Sequence, residues 1–108
     1  MSYDIHITRA SHWTESTEFP ISLDELKAIF SAKNDFEYSN TFTISGPFQI
    51  SISGDFFIWK VDDVTVPFHY SNGRLTVSGA DEGNVIDKIR EIAIELNAKV
   101  QGDEGELY

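Results

Sequence analysis

The stretch that decides the fold comprises residues 36–78 and reads FEYSNTFTISGPFQISISGDFFIWKVDDVTVPFHYSNGRLTVS. Apolar and polar residues alternate through most of it, which is the period-two pattern of strands with one buried face. The pattern is interrupted at four pairs of turn-forming residues: Gly46-Pro47, Gly54-Asp55, Asp62-Asp63 and Asn72-Gly73. The stretch therefore predicts an antiparallel meander. Asn72-Gly73 predicts a type I′ turn, because both residues tolerate a positive φ.

Two helices are predicted outside this stretch. Ser22 and Glu25 have the spacing of a capping box, so a helix should begin there and end near Asn34-Asp35. Its apolar face is predicted to consist of Leu23, Leu26, Ala28, Ile29 and Phe30. Residues 82–98 also have helical spacing, with an apolar face made of Val85, Ile89, Ile92, Ala93 and Leu96. We expect Asn97 to stop this second helix.

Two further strands complete the pattern. The alternation around Ile5 and Ile7 predicts a first strand, and Val100 is expected in a short last one. The predicted order is β-α-β-β-β-β-α-β, a single mostly antiparallel sheet of about five to six strands with two helices packed on one face. Residues 1–108 are expected to form one α+β domain, because no Pro-, Gly- or Ser-rich stretch separates two units.

The chain is strongly acidic but has the composition of a folded protein. It has 18 Asp and Glu residues against 8 Lys and Arg, for a formal net charge of −10, while 41% of its residues are hydrophobic and 13% are aromatic. Disordered acidic segments lack that apolar content. An acidic surface around a core favours a basic protein partner and disfavours nucleic acid and anionic membranes. The sequence does not indicate an oligomeric state.

The start of the chain lacks the pattern of a secretory signal. Residues 1–20 contain neither a basic start nor an apolar core. No apolar run reaches the roughly 18 residues of a membrane span, and the chain has no cysteine. We therefore expect a cytoplasmic protein.

No motif predicts an enzyme, a metal site or a cofactor. His6, His12 and His69 are on separate predicted elements and lack the close spacing of zinc ligands. His6 and His69 are expected on the solvent side of their strands. Ser53-Gly54-Asp55 and Ser78-Gly79 are expected to form turns, because neither belongs to a G-x-S-x-G or S-x-x-K motif. We therefore expect a non-catalytic protein with no cofactor and no metal.

Residues 55–61, DFFIWKV, are apolar on both sides of a predicted strand. One side consists of Phe57, Trp59 and Val61, and the other of Phe56 and Ile58. Two interpretations stay open. Either the strand is covered on both faces, or its aromatic side chains are exposed as anchors for a partner.

The C-terminal tail, residues 102–108, combines an acidic run with an apolar end. Leu107 and Tyr108 either fray with the tail or dock on the sheet, and Trp13, inside a polar loop, is a candidate lid. The residues that we expect to bind a partner come from the tail and from the end of the aromatic strand: Trp59, Asp62, Asp63, Asp103, Glu104 and Glu106.

Several stretches resemble a group of small bacterial proteins of mostly unassigned function. They are MSYDIHITRA at residues 1–10, the Trp13 loop that leads through Pro20-Ile21 to the helix start at Ser22, and LNAKVQGDEGE at residues 96–106. Some members of the group look like immunity proteins of polymorphic toxin or contact-dependent growth inhibition systems. The resemblance implies a cytoplasmic bacterial α+β protein, and it assigns no catalytic residue.

The charge is consistent with the role that this resemblance implies. Many toxins of these systems are nucleases with basic substrate grooves, which an acidic partner would occupy in place of phosphate. Long-range attraction also raises association rates by about 10- to 10³-fold. The predicted function is an immunity protein that blocks the active site of a basic, nuclease-type toxin domain. The alternative is a non-catalytic acidic interaction or regulatory domain unrelated to toxins.

Overall fold

A computed structural model describes residues 4–44, 46–61, 64–78 and 83–108. The strands are β1 (Asp4–Thr8), β2 (Phe36–Ile44), β3 (Ile50–Val61), β4 (Val64–Ser71), β5 (Arg74–Ser78) and β6 (Lys99–Gly102). The helices are α1 (Leu23–Ser31) and α2 (Gly83–Glu95), with one 3-10 turn at Trp13–Glu15. The six strands form one sheet in the spatial order β2-β3-β4-β5-β1-β6, and each pair of neighbours is antiparallel. The predicted fold class, strand number and element order are confirmed.

Both helices contribute to a single core on one face of the sheet, which we call the helix face. Phe57, Phe68 and Leu75 are fully buried on this face. Leu26 of α1 and Ile89 of α2 belong to the same cluster. Burying a side chain of this size contributes about 1.5–3 kcal/mol, so the core on the helix face is the main source of stability. The opposite surface of the sheet is called the helix-free face.

The start of α1 has the predicted capping box. Ser22 Oγ accepts from the Glu25 backbone N–H at 3.2 Å, and Glu25 Oε1 accepts from the Ser22 backbone N–H at 3.4 Å. The helix ends earlier than predicted, at Ser31, because the carbonyl of Asp35 already accepts a strand-like hydrogen bond from the Lys60 N–H at 2.8 Å. Ala28, predicted on the apolar face, is exposed.

The second helix has the predicted apolar face and stop signal. Ile89 and Ile92 are fully buried. Asn97 has a φ of 54°, a left-handed conformation that ends helices. The helix therefore finishes at Glu95, and buried Leu96 lies just beyond it. Neither described helix has both the length and the apolar composition needed to cross a membrane.

The turn between β4 and β5 is the predicted type I′ turn. Asn72 and Gly73 both have positive φ, at 52° and 79°. The Gly73 carbonyl accepts a hydrogen bond from the Ile21 N–H at 3.0 Å. The turn therefore also fixes the chain that leads into α1.

The predicted interruption at Gly54-Asp55 is wrong, because β3 runs through both residues. Ser53-Gly54-Asp55 is thus strand and not turn. Glycine is needed here for another reason: a Cβ at Gly54 would lie 2.9 Å from Nε2 of His69 on the neighbouring strand. A glycine within a strand often marks such a close approach. Phe48, which the alternation places in a strand, precedes β3.

Candidate functional site

Several carboxylates lie at one end of the sheet, which we call the acidic end. β1 begins at this end, and β5 and β6 finish there, because Asp4 pairs with Ser78 and Ile5 pairs with Gly102. The antiparallel order places the end of β3 and the start of β2 at the same end. The described acids at this end are Asp4, Asp35, Asp103 and Glu104. Asp4, Asp103 and Glu104 therefore lie together beside β1 and β6, whereas Asp35 lies beside β2, the edge strand on the other side of the sheet.

Two predicted partner-binding residues, Asp62 and Asp63, lie outside the described residues. The described residues that flank them, Val61 and Val64, pair with each other at the acidic end.

Trp59 belongs to the core, with 6% of its surface exposed. Its Nε1 donates to Asp35 Oδ2 at 2.9 Å, and Lys88 Nζ lies 3.1 Å from the same carboxylate oxygen. Burial alone would raise the pKa of Asp35. The hydrogen bonds from Lys88 and Trp59 have the larger combined effect, so the pKa of Asp35 is lowered. The ring edge contributes to a shallow surface hollow of about 330 Å³ that is also lined by Asp87 and Glu91 of α2.

Residues 55–61 are mostly buried, which answers the question that the sequence left open. Phe57 and Trp59 are buried on the helix face, and Phe56 is buried on the helix-free face. Ile58 is half-buried, and the side chain of Val61 lies outside the description. Trp59 is therefore available to a partner only through its ring edge.

Asp103 holds the tail against the start of β1. Its Oδ2 accepts from the Asp4 N–H at 3.0 Å, and its Oδ1 lies 2.8 Å from His6 Nε2. The hydrogen bond from Asp4 and the contact with His6 lower the pKa of the Asp103 carboxyl against the effect of burial. The Asp103 carbonyl also accepts from Trp13 Nε1 at 3.1 Å. This carboxylate is already engaged within the protein.

The rest of the tail lies along the outer edge of β6. The Gly102 N–H donates to the Glu106 carbonyl at 2.9 Å, and the Tyr108 N–H donates to the Val100 carbonyl at 3.0 Å. The tail thus docks on the sheet through its backbone, while the side chains of Leu107 and Tyr108 stay exposed. Glu104 and Glu106 are also exposed.

Residues 9–22, the covering segment, lie over part of the helix-free face. This closed half of the face consists of His6, Thr8, Arg74 and Gln101. Gln101 Oε1 accepts from the Trp13 N–H, and Gln101 Nε2 donates to the Ser11 carbonyl, both at 2.8 Å. The covering segment therefore satisfies buried polar groups of the sheet.

The prediction that His6 faces solvent is wrong, because the covering segment lies over it. His6 is 3% exposed, and the Trp13 ring stacks on it with 4.1 Å between ring centroids. Trp13 is therefore the lid that the sequence suggested. His69 is half-buried on the same face. Burial lowers the pKa of His69; the charge on Arg74 lowers it further, and the charge on Asp55 raises it.

A hydroxyl, an imidazole and a carboxylate meet at His6. Thr76 Oγ1 lies 3.1 Å from Nδ1, on the opposite side of the ring from Asp103. Nucleophilic catalysis uses these three groups where the imidazole also contacts a substrate. Trp13 covers this imidazole, so the geometry fits a structural role. His6 links β1 to β5 through Thr76 and to the tail through Asp103.

The remainder of the helix-free face forms the open half, made of Phe42, Ile52, Phe56, Pro67 and His69. These side chains line a hollow of about 220 Å³ together with Thr76 and Ser78. The rings of Phe42 and Phe56 are 5.7 Å apart, and those of Phe56 and His69 stack at 4.5 Å. The surface is apolar and aromatic.

The described residues contain no group of three His, Cys, Asp or Glu side chains placed to hold a metal ion. Ser78, one of the two serines considered in the sequence, ends β5 and donates to Asp4 Oδ1 at 2.8 Å, and Gly79 lies outside the described residues.

No protein-family model matches the chain, and neither a curated protein nor a solved structure matches it significantly.

The sequence prediction missed Asp35 and the contacts of His6. The sequence predicts Asp35 at the end of a helix, although its position directly before the β2 alternation also indicates the start of a strand. The contact of His6 with Asp103 joins residues at opposite ends of the chain. No local pattern indicates such a pair.

Proposed function

We propose that this chain is a cytoplasmic immunity protein that binds a basic, nuclease-type toxin domain and blocks its active site. The observation that carries the proposal is the acidic end, where Asp4, Asp103 and Glu104 lie close together and Asp35 lies at the same end of the sheet, beside the opposite edge strand. A carboxylate-lined edge is complementary to a groove that binds phosphate.

The distribution of cations strengthens this argument. Five of the eight Lys and Arg residues pair with carboxylates of the same chain: Arg9, Lys33, Lys60, Lys88 and Arg90. Each pair also engages one carboxylate, so the net charge of −10 is carried by the acids that have no cation beside them. A protein with this surface attracts a basic partner at long range.

The residues proposed to contact the toxin divide into two kinds. Glu104, Glu106, Asp62 and Asp63 would act as rim charges, which mainly set the association rate. Trp59 would contribute through its ring edge in the hollow beside α2, and Asp103 through its hold on the tail. We therefore expect the exposed glutamates to dominate the electrostatic part of binding.

The test first requires a basic domain encoded next to this gene, which would serve as the candidate toxin. Cells that produce this domain should grow when the present chain is co-expressed. Stopped-flow mixing should show fast association that slows as salt rises from about 0.1 M to about 1 M, because the Debye length falls from about 10 Å to about 3 Å. Failure of the cells to grow would overturn the proposal.

A matched pair of double variants tests the site. Glu104→Gln with Glu106→Gln should slow association and flatten its salt dependence. Glu18→Gln with Asp24→Asn removes the same charge near the opposite end of the sheet, where the Ile21 N–H meets Gly73. If the two double variants slow association equally, overall charge and not the acidic end attracts the toxin.

The alternative function is an acidic interaction or regulatory domain unrelated to toxins. It shares the same surface and would bind a basic protein that is not toxic to the cell. Growth of cells that produce the neighbouring basic domain without the present chain would favour this alternative.

A further inference from the structure

Part of the β2–β3 hairpin extends beyond the rest of the sheet as a two-stranded arm. β3 pairs with β4 only from Asp55 onward among the described residues. Residues 41–44 and 50–53 therefore pair with each other alone, next to an irregularity in register between Ser39 and Thr41. A two-stranded hairpin is marginally stable in water without further packing. Packing against another molecule would therefore stabilise the arm.

The two faces of the arm differ sharply in polarity. Thr41, Thr43, Ser51 and Ser53 alternate with the apolar residues, and the hydroxyls of Thr43 and Ser51 are 3.1 Å apart. The other face carries Phe42 and Ile52, which pair across the strands and continue into the open half of the helix-free face. Ile52 is 41% exposed, Ile50 is 54% exposed and Phe48, just before β3, is 81% exposed.

The arm is also the least charged part of the chain. Residues 38–54 contain no Asp, Glu, Lys, Arg or His, and this is the longest such run in a sequence whose net charge is −10. A basic partner gains no electrostatic attraction here. Two copies of this acidic protein repel each other elsewhere, and the arm is where they can meet without opposing like charges.

From these observations we infer that the apolar side of the arm is a docking surface for a second copy of this chain. The two copies would be related by a two-fold axis, so that the same surface of each contributes. Phe42, Ile50 and Ile52 of one copy would pack on those of the other, as the inner faces of a sandwich do. Phe48 of each copy would reach the open half of its partner.

This surface is separate from the acidic end, so each copy in the dimer keeps its toxin-binding edge. The dimer does not depend on the proposed function. The two associations should also respond to salt in opposite directions. Salt screens the repulsion between two acidic copies and strengthens the dimer, whereas it weakens attraction between this chain and a basic partner.

Sedimentation equilibrium of the full chain over a range of concentrations tests the inference. The wild type should show a monomer–dimer equilibrium that shifts toward dimer as salt rises. Ile50→Asp should raise the dimer dissociation constant by about tenfold or more, because a buried apolar anchor is lost. Phe48→Ser should have the same direction of effect, and it leaves every strand residue unchanged.

The matched control is Ile94→Asp, which changes an isoleucine on α2 that is 79% exposed. This variant should dimerise like the wild type. A wild-type chain that stays monomeric at all concentrations would contradict the inference. So would a dimer that Ile94→Asp disrupts while Ile50→Asp does not. A monomer that binds vesicles of neutral phosphatidylcholine through Phe48 would assign the arm to a membrane instead.

Discussion

The closed and open halves of the helix-free face differ in the polarity of their side chains and in what covers them. The closed half has buried polar side chains, such as His6 and Gln101, and it is covered by residues 9–22 of the same chain. The open half has the apolar side chains of Phe42 and Ile52 and no comparable cover among the described residues. One half is completed within the chain, and the other is left without such a cover among the described residues.

The difference follows from the cost of burying polar groups. A buried imidazole or amide needs partners in defined positions, so it is covered by a segment whose hydrogen bonds are fixed. Apolar side chains need only removal from water, and any surface of suitable shape provides it. The polar half therefore specifies its own cover, whereas the apolar half would be covered equally well by any apolar surface that fits it.

The largest expected effect comes from the core beneath the closed half. Ile89 is fully buried on α2, a helix that contacts β1 and β6. Ile89→Asp should unfold the domain, since burying an unpaired carboxylate costs several kcal/mol out of a total stability of about 5–15 kcal/mol. Circular dichroism should show loss of the folded signal.

Ile94→Asp on the same helix is the control for this prediction. Because the side chain is exposed, its free energy of unfolding should stay within about 0.5 kcal/mol of the wild type. An Ile89→Asp protein that melts within a few degrees of the wild type would contradict the assignment of the buried face.

A pair of glycines compares the two halves directly. Gly73 has a φ of 79°, and a Cβ there would lie 2.6 Å from the Ser16 carbonyl oxygen and 2.7 Å from Pro20 Cβ. Gly73→Ala should destabilise the protein by about 1–3 kcal/mol or more, from backbone strain together with the clash against the covering segment. Urea unfolding provides the measurement.

Gly46, in the connection between the two strands of the arm, is the matched control for Gly73. A Cβ at Gly46 has only the Phe48 carbonyl oxygen nearby, at 3.8 Å. Gly46→Ala should change stability by less than about 1 kcal/mol. Equal losses in the two variants would mean that neither the positive φ nor the clash with the covering segment accounts for the effect at Gly73.

The contact between His6 and Asp103 yields the next effect in size. Asp103→Ala leaves the buried imidazole and the Asp4 N–H without this partner, which should cost about 1–3 kcal/mol. Asp103→Asn should recover most of the loss, because the amide oxygen can accept from the Asp4 N–H and the amide nitrogen can take the place beside His6 Nε2. Glu104→Ala, at the next residue, should stay close to the wild type. Equal stability of Asp103→Ala and Glu104→Ala would show that the contact does not hold the tail.

The sequence predicts the elements of this fold better than it predicts how the helix-free face is covered. Alternation in β4 and β5, the Asn72-Gly73 turn and the Ser22 capping box are local signals, and the structure has all three. The predicted turn at Gly54-Asp55 is wrong because glycine favours both turns and close contacts within strands. Ile52, Phe56 and Ile58 nevertheless lie on the same face of β3, so the alternation itself continues through Gly54.

The candidate site could be predicted only in part, because its contacts are not local. Alternation correctly separates His6 from Ile5 and Ile7, but it cannot show that Trp13 will cover that side of the strand. The acidic end depends on the placement of β1 between β5 and β6, which joins residues from both ends of the chain. The acidic residues can be identified in the sequence, but their placement at the acidic end depends on the order of the strands in the sheet.

The smallest effect concerns the ionic clamp that joins the two ends of the covering segment. Arg9, at the start of the segment, donates from its two terminal nitrogens to Glu25, just after its end, at 2.9 and 2.6 Å. Arg9 Nε donates to the Leu96 carbonyl at 3.0 Å. The hydrogen bonds from Arg9 are the main cause that lowers the pKa of Glu25 from 4.5 to about 2.

This shift sets the direction of a pH effect. Because the folded pKa lies below the unfolded one, the clamp stabilises the protein fully above about pH 4.5 and stops doing so as the pH falls toward about 2. Glu25→Gln should therefore lower the urea midpoint slightly at neutral pH, and its curve should converge with that of the wild type near pH 2. Asp24→Asn, one residue earlier, removes a carboxylate that has no ion pair among the described residues. If Asp24→Asn changes the urea midpoint at acid pH as much as Glu25→Gln does, the effect reflects net charge. The clamp would then not distinguish the closed half from the open half.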